Sequence, residues 1–413
     1  MGFQQKQHDN NGFEIANQAG AARTGTLQVG DTELKTPNLF PVVNFYAGGT
    51  SSSLYGGGIH RTMKEFMNGD EVINGGDYSE YFDGVMTSVA SLTDYGITKE
   101  RYEEYIDTPI KERDLFDFDG VLFIDSGGFK FLGDKTLDGS DFEVDVDQRT
   151  IIEIQRKLGA DLVLNLDRPI EPDDDYETRI QKARMTAQNV DQFLELTDRQ
   201  KQTRYLTLHG YNYSMLNTFL TEIEKVIGKN RVHREFDGVA LGSLVPLKDN
   251  KSKLITAVSD CREVLDDWGF DDLPLHVLGI SSSAIPLLAA VGADTFDSSS
   301  YLHAAINGKY HTSLYNTEPL DDVDFSKCDC PVCSDDKLVN WMEGDAEYQK
   351  DKLGAVSMHN LIIQKEEISR VREAISKSGT DGLIEYFEQS LSRHKSMQQH
   401  AHRVVNDSLG GYF

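Results

Sequence analysis

"GVLFIDSGG", residues 120–128, is the stretch that decides how the rest of the chain is read. Four consecutive apolar residues, Val121 to Ile124, run straight into an aspartate, a serine and two glycines. Such an unbroken run suits a strand covered on both faces, as in a parallel sheet. The form recurs in "ADLVLNLD" (160–167), "RYLTLHG" (204–210), "FDGVALGSL" (236–244), "LPLHVLGI" (273–280) and "ADTFDSS" (293–299). Helix-like segments such as 148–158 and 176–198 lie between the runs. Six strand-then-helix repeats, with room for two earlier strands, predict an α/β fold, a (β/α)₈ TIM barrel.

Most of the runs end on a polar or glycine-rich element: Asp125, Asp167, His209-Gly210, Gly242-Ser243 and Asp297. In barrels of this kind the C-terminal strand ends build the active site, so these residues should converge on one mouth. A single polar strand end is more often a turn or a helix cap. Five in succession point to an active site.

Composition narrows the class. Of 413 residues, 39% are hydrophobic and 26% charged, which fits a globular chain with a sizeable core. No run approaches the roughly 18 apolar residues of a membrane span. The polar start "MGFQQKQHDNNGFE" has no apolar signal segment, so a cytoplasmic location and no membrane partner are expected. The formal charge of −27 argues against nucleic acid, because phosphates are repelled at long range. A local basic surface can still exist inside a negative total. The most basic stretch is "SRHKSMQQHAHRVV", in a tail (378–413) that reads as helical.

Three of the four cysteines fall within "CDCPVC": Cys328, Cys330 and Cys333. Clustering of this kind in a reducing compartment indicates metal rather than disulfides. With His359 from "MHNL", three thiolates and an imidazole complete a tetrahedral Zn²⁺ shell with no open position, hence a structural site. The Pro-Cys-x-x-Cys arrangement of the zinc deaminases is not present. His359 opens "HNLIIQKEEISRVREAI", whose Leu361, Ile368, Val371 and Ile375 share one helical face. The expected division is a barrel over 1–320, a zinc-binding subdomain over 321–365, and C-terminal helices over 366–413 that pack on the barrel. Within 45–118 the segment "AGGTSSSLYGGG" (47–58) reads as a flexible loop without Walker-type lysine spacing.

With these elements in place, the chain resembles the guanine transglycosylase family, the base-exchange enzymes that place 7-deazaguanines in nucleic acid. The likeness runs from "GAARTGTL" (20–27) and "TPNLFPV" (36–42) to "HNL" and "REAI" near the end, and weakens between about 45 and 118. The family's Asp-Ser-Gly-Gly-Phe/Tyr element stands at Asp125, Ser126, Gly127, Gly128 and Phe129, and the Cys-x-Cys-x-x-Cys and His-Asn-Leu zinc element also matches. The resemblance implies a TIM barrel with an inserted zinc subdomain. It implies that Asp297 is the nucleophile and Asp125 the acid/base group that also touches the base, and that Asp167 reads the guanine edge. Gly242, Ser243 and Leu244 match the family's Gly-Gly-Leu, whose backbone contacts the base. Phe129 and Leu278 match the pair that sandwiches the ring. His209 stands before Gly210 where the family usually has glutamine.

Replacing a base with retained configuration suggests two inversions through a covalent glycosyl-enzyme, as in retaining glycosidases. A second carboxyl group then moves the proton. Partners expected are the free 7-deazaguanine base, in its 7-cyano form by family habit, and a polynucleotide whose target nucleotide is unstacked. Family members often form homodimers. The segment after Asp297, "SSSYLHAAINGKYHT" (298–312), lacks the arginine with which the tRNA-acting family reads the anticodon, and the early Asn-Thr-Tyr-His-Leu element is absent. Those departures favour the DNA-acting branch, DpdA of 7-deazaguanine DNA modification, in a bacterial, archaeal or virus-infected cell. The alternatives are a tRNA-guanine transglycosylase with divergent anticodon readout, a non-catalytic accessory subunit, and a generic barrel hydrolase.

Overall fold

The computed structural model describes residues 12–43, 81–93, 96–112, 119–128, 130–132 and 136–410. Both Phe129 and the glycine-rich stretch 47–58 lie outside the described residues. Three antiparallel strands come first: β1 (Gly12–Ala19), β2 (Ala22–Val29) and β3 (Thr32–Thr36). Eight parallel strands follow: β4 (Asn38–Pro41), β5 (Gly84–Ser88), β6 (Val121–Asp125), β7 (Leu162–Leu164), β8 (Thr203–His209), β9 (Gly238–Gly242), β10 (Leu275–Val277) and β11 (Thr295–Ser298). Their order in the sheet is β4-β11-β10-β9-β8-β7-β6-β5, and a parallel bridge between Val42 and Met86 joins the two ends. The fold is the (β/α)₈ barrel that the repeating runs predict.

β4 and β5 are the two strands for which the sequence pattern left room. Strand β7 is shorter than its apolar run. Asn165 turns its side-chain Oδ1 to the Thr207 N–H, replacing a backbone ladder bond with a side-chain one. Four of the helices between strands begin where a short polar side chain satisfies an orphan N–H. Asp147 caps Gln148–Lys157, Asp175 caps Tyr176–Leu196, Asn212 caps Tyr213–Ile227 and Asn250 caps Lys251–Asp267.

Successive side chains of a strand face opposite ways. In this barrel one parity points outward to the helices and the other inward. Leu122, Ile124, Leu206, Leu208, Val239, Leu241, Val277 and Phe296 join the outer core. Phe40, Met86, Val121, Phe123, Leu162, Leu164, Tyr205 and Ala240 fill the interior. Leu27, Val29 and Leu34 of the N-terminal sheet pack into the same cluster and close the barrel at one end. Glycine makes room for the interior rings: a Cβ on Gly238 would lie 2.4 Å from the Tyr205 ring, and one on Gly84 would lie 2.6 Å from Phe40.

The "GAARTGTL" segment has a physical role here. Arg23 forks onto Asp294, just before β11, through Nε and Nη2 at 2.8 and 2.7 Å, while Nη1 reaches the Asp271 carbonyl and Nη2 also reaches that of Leu273. A planar guanidinium suits that bidentate, buried pairing. The long helix Gln349–Ser390 covers the outside, burying Leu361, Ile368, Val371 and Ile375 as their spacing predicts. It runs unbroken across residue 365, where the sequence division places a boundary, and is interrupted only at Gly379 (φ 56°). Its buried Lys365 donates to Asp83, Asn38 and the Leu39 carbonyl, anchoring it to the starts of β4 and β5. A last helix spans Lys395–Gly410. No helix among the described residues is long and apolar enough to cross a membrane.

Candidate active site and metal centre

Inward parity carries the polar strand ends to one place. On β6, Val121 and Phe123 point into the barrel, so Asp125 does too; on β8, Tyr205 and Thr207 lead to His209. On β11 the inward positions are Thr295 and Asp297, and on β9 they are Ala240 and Gly242. Parallel strands put all these C-terminal ends at the same mouth.

Asp125 is half-buried there. Its Oδ1 accepts the Gly127 N–H at 3.0 Å. Burial, reinforced by the negative charges of Asp297 and Asp167, pushes its carboxyl up to about 7, against the opposing hydrogen bonds from Ser88 and Gly127. The two aspartates that the sequence pairs, 125 and 297, thus act on each other across one mouth.

The glycines of the Asp-Ser-Gly-Gly element follow from this packing. Gly127 has φ +74°, and a Cβ on it would lie 2.4 Å from the Ala90 Cβ. At Gly128 a Cβ would lie 2.4 Å from Asp167 Oδ1, so the missing side chain is the space the Asp167 carboxylate occupies. Ser126 Oγ donates to that same oxygen at 2.8 Å.

Asp167 meets His209 on its other side. His209 Nε2 lies 2.9 Å from Asp167 Oδ2, within ion-pair reach though not aligned for a hydrogen bond. Nδ1 of the same ring lies 3.0 Å from Ser243 Oγ, which also accepts the Ile170 N–H at 2.9 Å. Ser243 has φ 67°, the one non-glycine residue in the left-handed region among the described residues. The resemblance places glycine at that position. Here serine takes up the strained backbone and its hydroxyl holds the histidine that replaces the usual glutamine. The two departures from the family pattern therefore touch. Gly242 leaves room for the His209 ring, since a Cβ there would come within 2.6 Å of it. Gly210 and Leu244 are buried beside these strand ends, and Leu278 packs against the interior cluster. Phe129 lies outside the described residues, so only Leu278 of the expected sandwich is placed.

Asp297 is held on one oxygen. The Gly279 N–H donates to its Oδ1 at 2.8 Å, and His276 Nε2 lies 3.3 Å from the same atom. His276, Thr295, Gly279 and Ser88 are neighbours of the two aspartates that the sequence reading missed. Ser88 lies in the stretch that was least readable. His276 carried a signal: a histidine inside "LPLHVLGI", two residues before Leu278 and so on the same inward parity.

Away from the mouth, Cys328, Cys330, Cys333 and His359 bring all four ligand atoms within 4.8 Å of one another. His359 Nδ1 lies 3.9, 3.3 and 3.6 Å from the three sulfurs. Zn–S and Zn–N bonds in a tetrahedron would set those separations at about 3.6 Å, so the donor set fits zinc. The Nε2 of His359 faces the His311 carbonyl at 2.9 Å, which leaves the Nδ1 lone pair for a metal. The Tyr310 ring stacks on His359 at 3.7 Å, and its hydroxyl lies 3.1 Å from Cys333 Sγ. The fourth cysteine, Cys261, is buried in the helix Lys251–Asp267 and takes no part.

Comparison with known proteins gives one consistent picture. Residues 90–395 match the family model described as queuine tRNA-ribosyltransferase. A tRNA-guanine(15) transglycosylase of Pyrococcus furiosus is 27% identical over 380 residues, covering 90% of this chain and 55% of that protein. One of Haloferax volcanii is 26% identical over 391 residues, covering 93% of this chain and 66% of its own length. The chain spans little more than half the length of several curated relatives it matches. Their names specify tRNA, which is the alternative in the sequence reading; the favoured DNA-acting branch gains no support from them.

Proposed function

This chain belongs to the queuine tRNA-ribosyltransferase family, and from that premise we propose that it exchanges guanine in a polynucleotide for a 7-deazaguanine by double displacement. The observation that carries the proposal is the pair of inward aspartates at one barrel mouth, one of them, Asp125, holding its proton up to about 7. In the first inversion an Asp297 carboxylate oxygen bonds to C1′ as the C1′–N9 bond of guanine breaks and Asp125 delivers a proton to the departing base. In the second, N9 of the incoming base attacks C1′, the C1′–Asp297 bond breaks, and Asp125 recovers a proton. A carboxyl with its proton lost only near neutrality suits both halves of that shuttle.

Asp167, oriented by Ser126, reads the guanine edge in this scheme, with Gly242 to Leu244 along the base and Leu278 against its face. The Cys₃His cluster would hold Zn²⁺, which when bound ties the 328–333 loop to the long helix. It takes no part in the exchange.

For the polynucleotide we take tRNA, because the relatives are named for it. A second reading, DNA, is favoured by one observation: residues 298–312 contain no arginine, and fold as the helix Ser300–Ile306 and the strand Lys309–Ser313. Incubation with labelled guanine, tRNA and duplex DNA in separate reactions tests both. Label in tRNA supports the first reading, and label in DNA alone supports the second. Asp297→Asn should lower exchange by at least about 10⁴-fold and remove any protein–nucleic acid adduct seen on denaturing gels. Undiminished exchange in that variant would refute the mechanism.

A further inference from the structure

We infer that His276 is a positioning residue for the nucleophile, fixing one oxygen of Asp297 so that the other, Oδ2, is the atom that bonds to C1′. The inference rests on the base-exchange reading above and concerns a residue with no role in it so far.

His276 is completely buried, at the inward centre of β10. Its ring is wedged edge-on against Phe123 (4.9 Å between centroids) and Phe40 (6.0 Å). Core packing alone would be served by any flat apolar ring. Both nitrogens, however, meet polar atoms on the neighbouring strand: Nδ1 lies 3.0 Å from Thr295 Oγ1 and Nε2 lies 3.3 Å from Asp297 Oδ1. Thr295 and Asp297 are consecutive inward positions of β11, so His276 spans them as a brace.

The hydrogen-bond inventory sets the direction of each contact. An ionised carboxylate only accepts, so the hydrogen between the ring and Asp297 sits on Nε2. In the neutral ring Nδ1 is then the acceptor and the Thr295 hydroxyl donates to it. The carboxylate therefore sets the tautomer, and the threonine hydroxyl, donating to Nδ1, holds the ring with its N–H toward Asp297. The Gly279 N–H converges on the same oxygen at 2.8 Å. With two donors, Oδ1 is the more stabilised and less nucleophilic oxygen, and the carboxylate plane is fixed. Oδ2 receives no protein hydrogen bond among those described, and it makes the bond to C1′ while the C1′–N9 electron pair leaves with the base. When the second base arrives, the C1′–Oδ2 pair returns to Asp297, and the same two donors receive the restored charge. A donor that is already in place as charge returns lowers the barrel's reorganisation in that step.

The test uses His276→Phe, His276→Gln and Thr295→Val in the full chain, with labelled guanine and whichever polynucleotide the wild type accepts. His276→Phe keeps a ring and removes the N–H. It should lower kcat by about 10- to 100-fold, the worth of one hydrogen bond to a charged group, with KM for base and polynucleotide within about twofold. His276→Gln, which returns a donor near Nε2, should recover most of kcat. Thr295→Val, nearly isosteric, should lower kcat several-fold with the melting temperature unchanged, and it decides the matter should the Phe variant not fold. Single-turnover guanine release should slow in step with kcat. Wild-type kcat in both His276→Phe and Thr295→Val overturns this inference alone. Absence of exchange and of adduct in the wild type overturns the base-exchange reading, and this inference with it.

Discussion

The barrel mouth and the cysteine cluster solve opposite problems. At the cluster, three of four ligands lie within six residues and the fourth sits on the helix that covers them, so short-range geometry assembles the site. At the mouth, Asp125 and Asp297 come from strands far apart in sequence, and only the register of a closed sheet brings them together. With a metal bound, the cluster would be a closed shell that stabilises. The mouth holds like charges near one another, a serine at φ 67° and a carboxyl displaced from its ordinary value, all of which work against folding. Stability concentrated in one region and strain in the other is the pattern expected when strain serves chemistry.

Substitutions can break that contrast. After Asp297→Asn, the largest effect should come from Asp125→Asn, which removes the proposed proton carrier and should lower exchange by about 10²–10⁴-fold. Its stability should move the other way. Folded Asp125 keeps its proton to about 7 against an ordinary 3.8, so the native state binds more protons than the unfolded chain in between. Native stability from this group is therefore present in full below about 4 and is lost as pH rises through about 7. The asparagine variant lacks that loss and should gain in melting temperature relative to wild type from pH 4 to 7. Parallel melting curves across that range would show that Asp125 carries no strain.

Cys330→Ser should do the reverse. Zinc content should fall below one per chain and the melting temperature should drop by roughly 5–10 °C, because a closed metal shell contributes folding free energy directly. Turnover per folded molecule, measured well below the transition, should stay within about twofold of wild type. A collapse of turnover in fully folded protein would mean the two regions are coupled. The smallest effect should come from Ser243→Gly. Relief of about 1–2 kcal/mol of left-handed strain is offset by two lost hydrogen bonds of about 1 kcal/mol each, so the melting temperature should shift by under about 2 °C. The KM for the base should rise a few-fold as His209 loses its brace. An unchanged KM would leave the His209–Ser243 contact without a part in base recognition.

The sequence alone pointed to the barrel, because strands buried on both faces need unbroken apolar runs, and six of them alternating with helices leave room for the two that close the ring. It also marked the cluster, because three of its four ligands are spaced within one loop, a spacing that survives any arrangement of the rest. Even the strand-end aspartates were visible as interruptions at the ends of those runs. Only the tertiary structure decided what surrounds them. His276 looks like an anomaly in an apolar strand until the neighbouring strand sets Thr295 and Asp297 against its two nitrogens. Likewise Gly128 is one glycine of a pair until Asp167, on a different strand end, fills the volume its side chain would need. Contacts of that kind depend on which strands become neighbours and at what register, and both are set by closure of the whole ring rather than by any local stretch of chain.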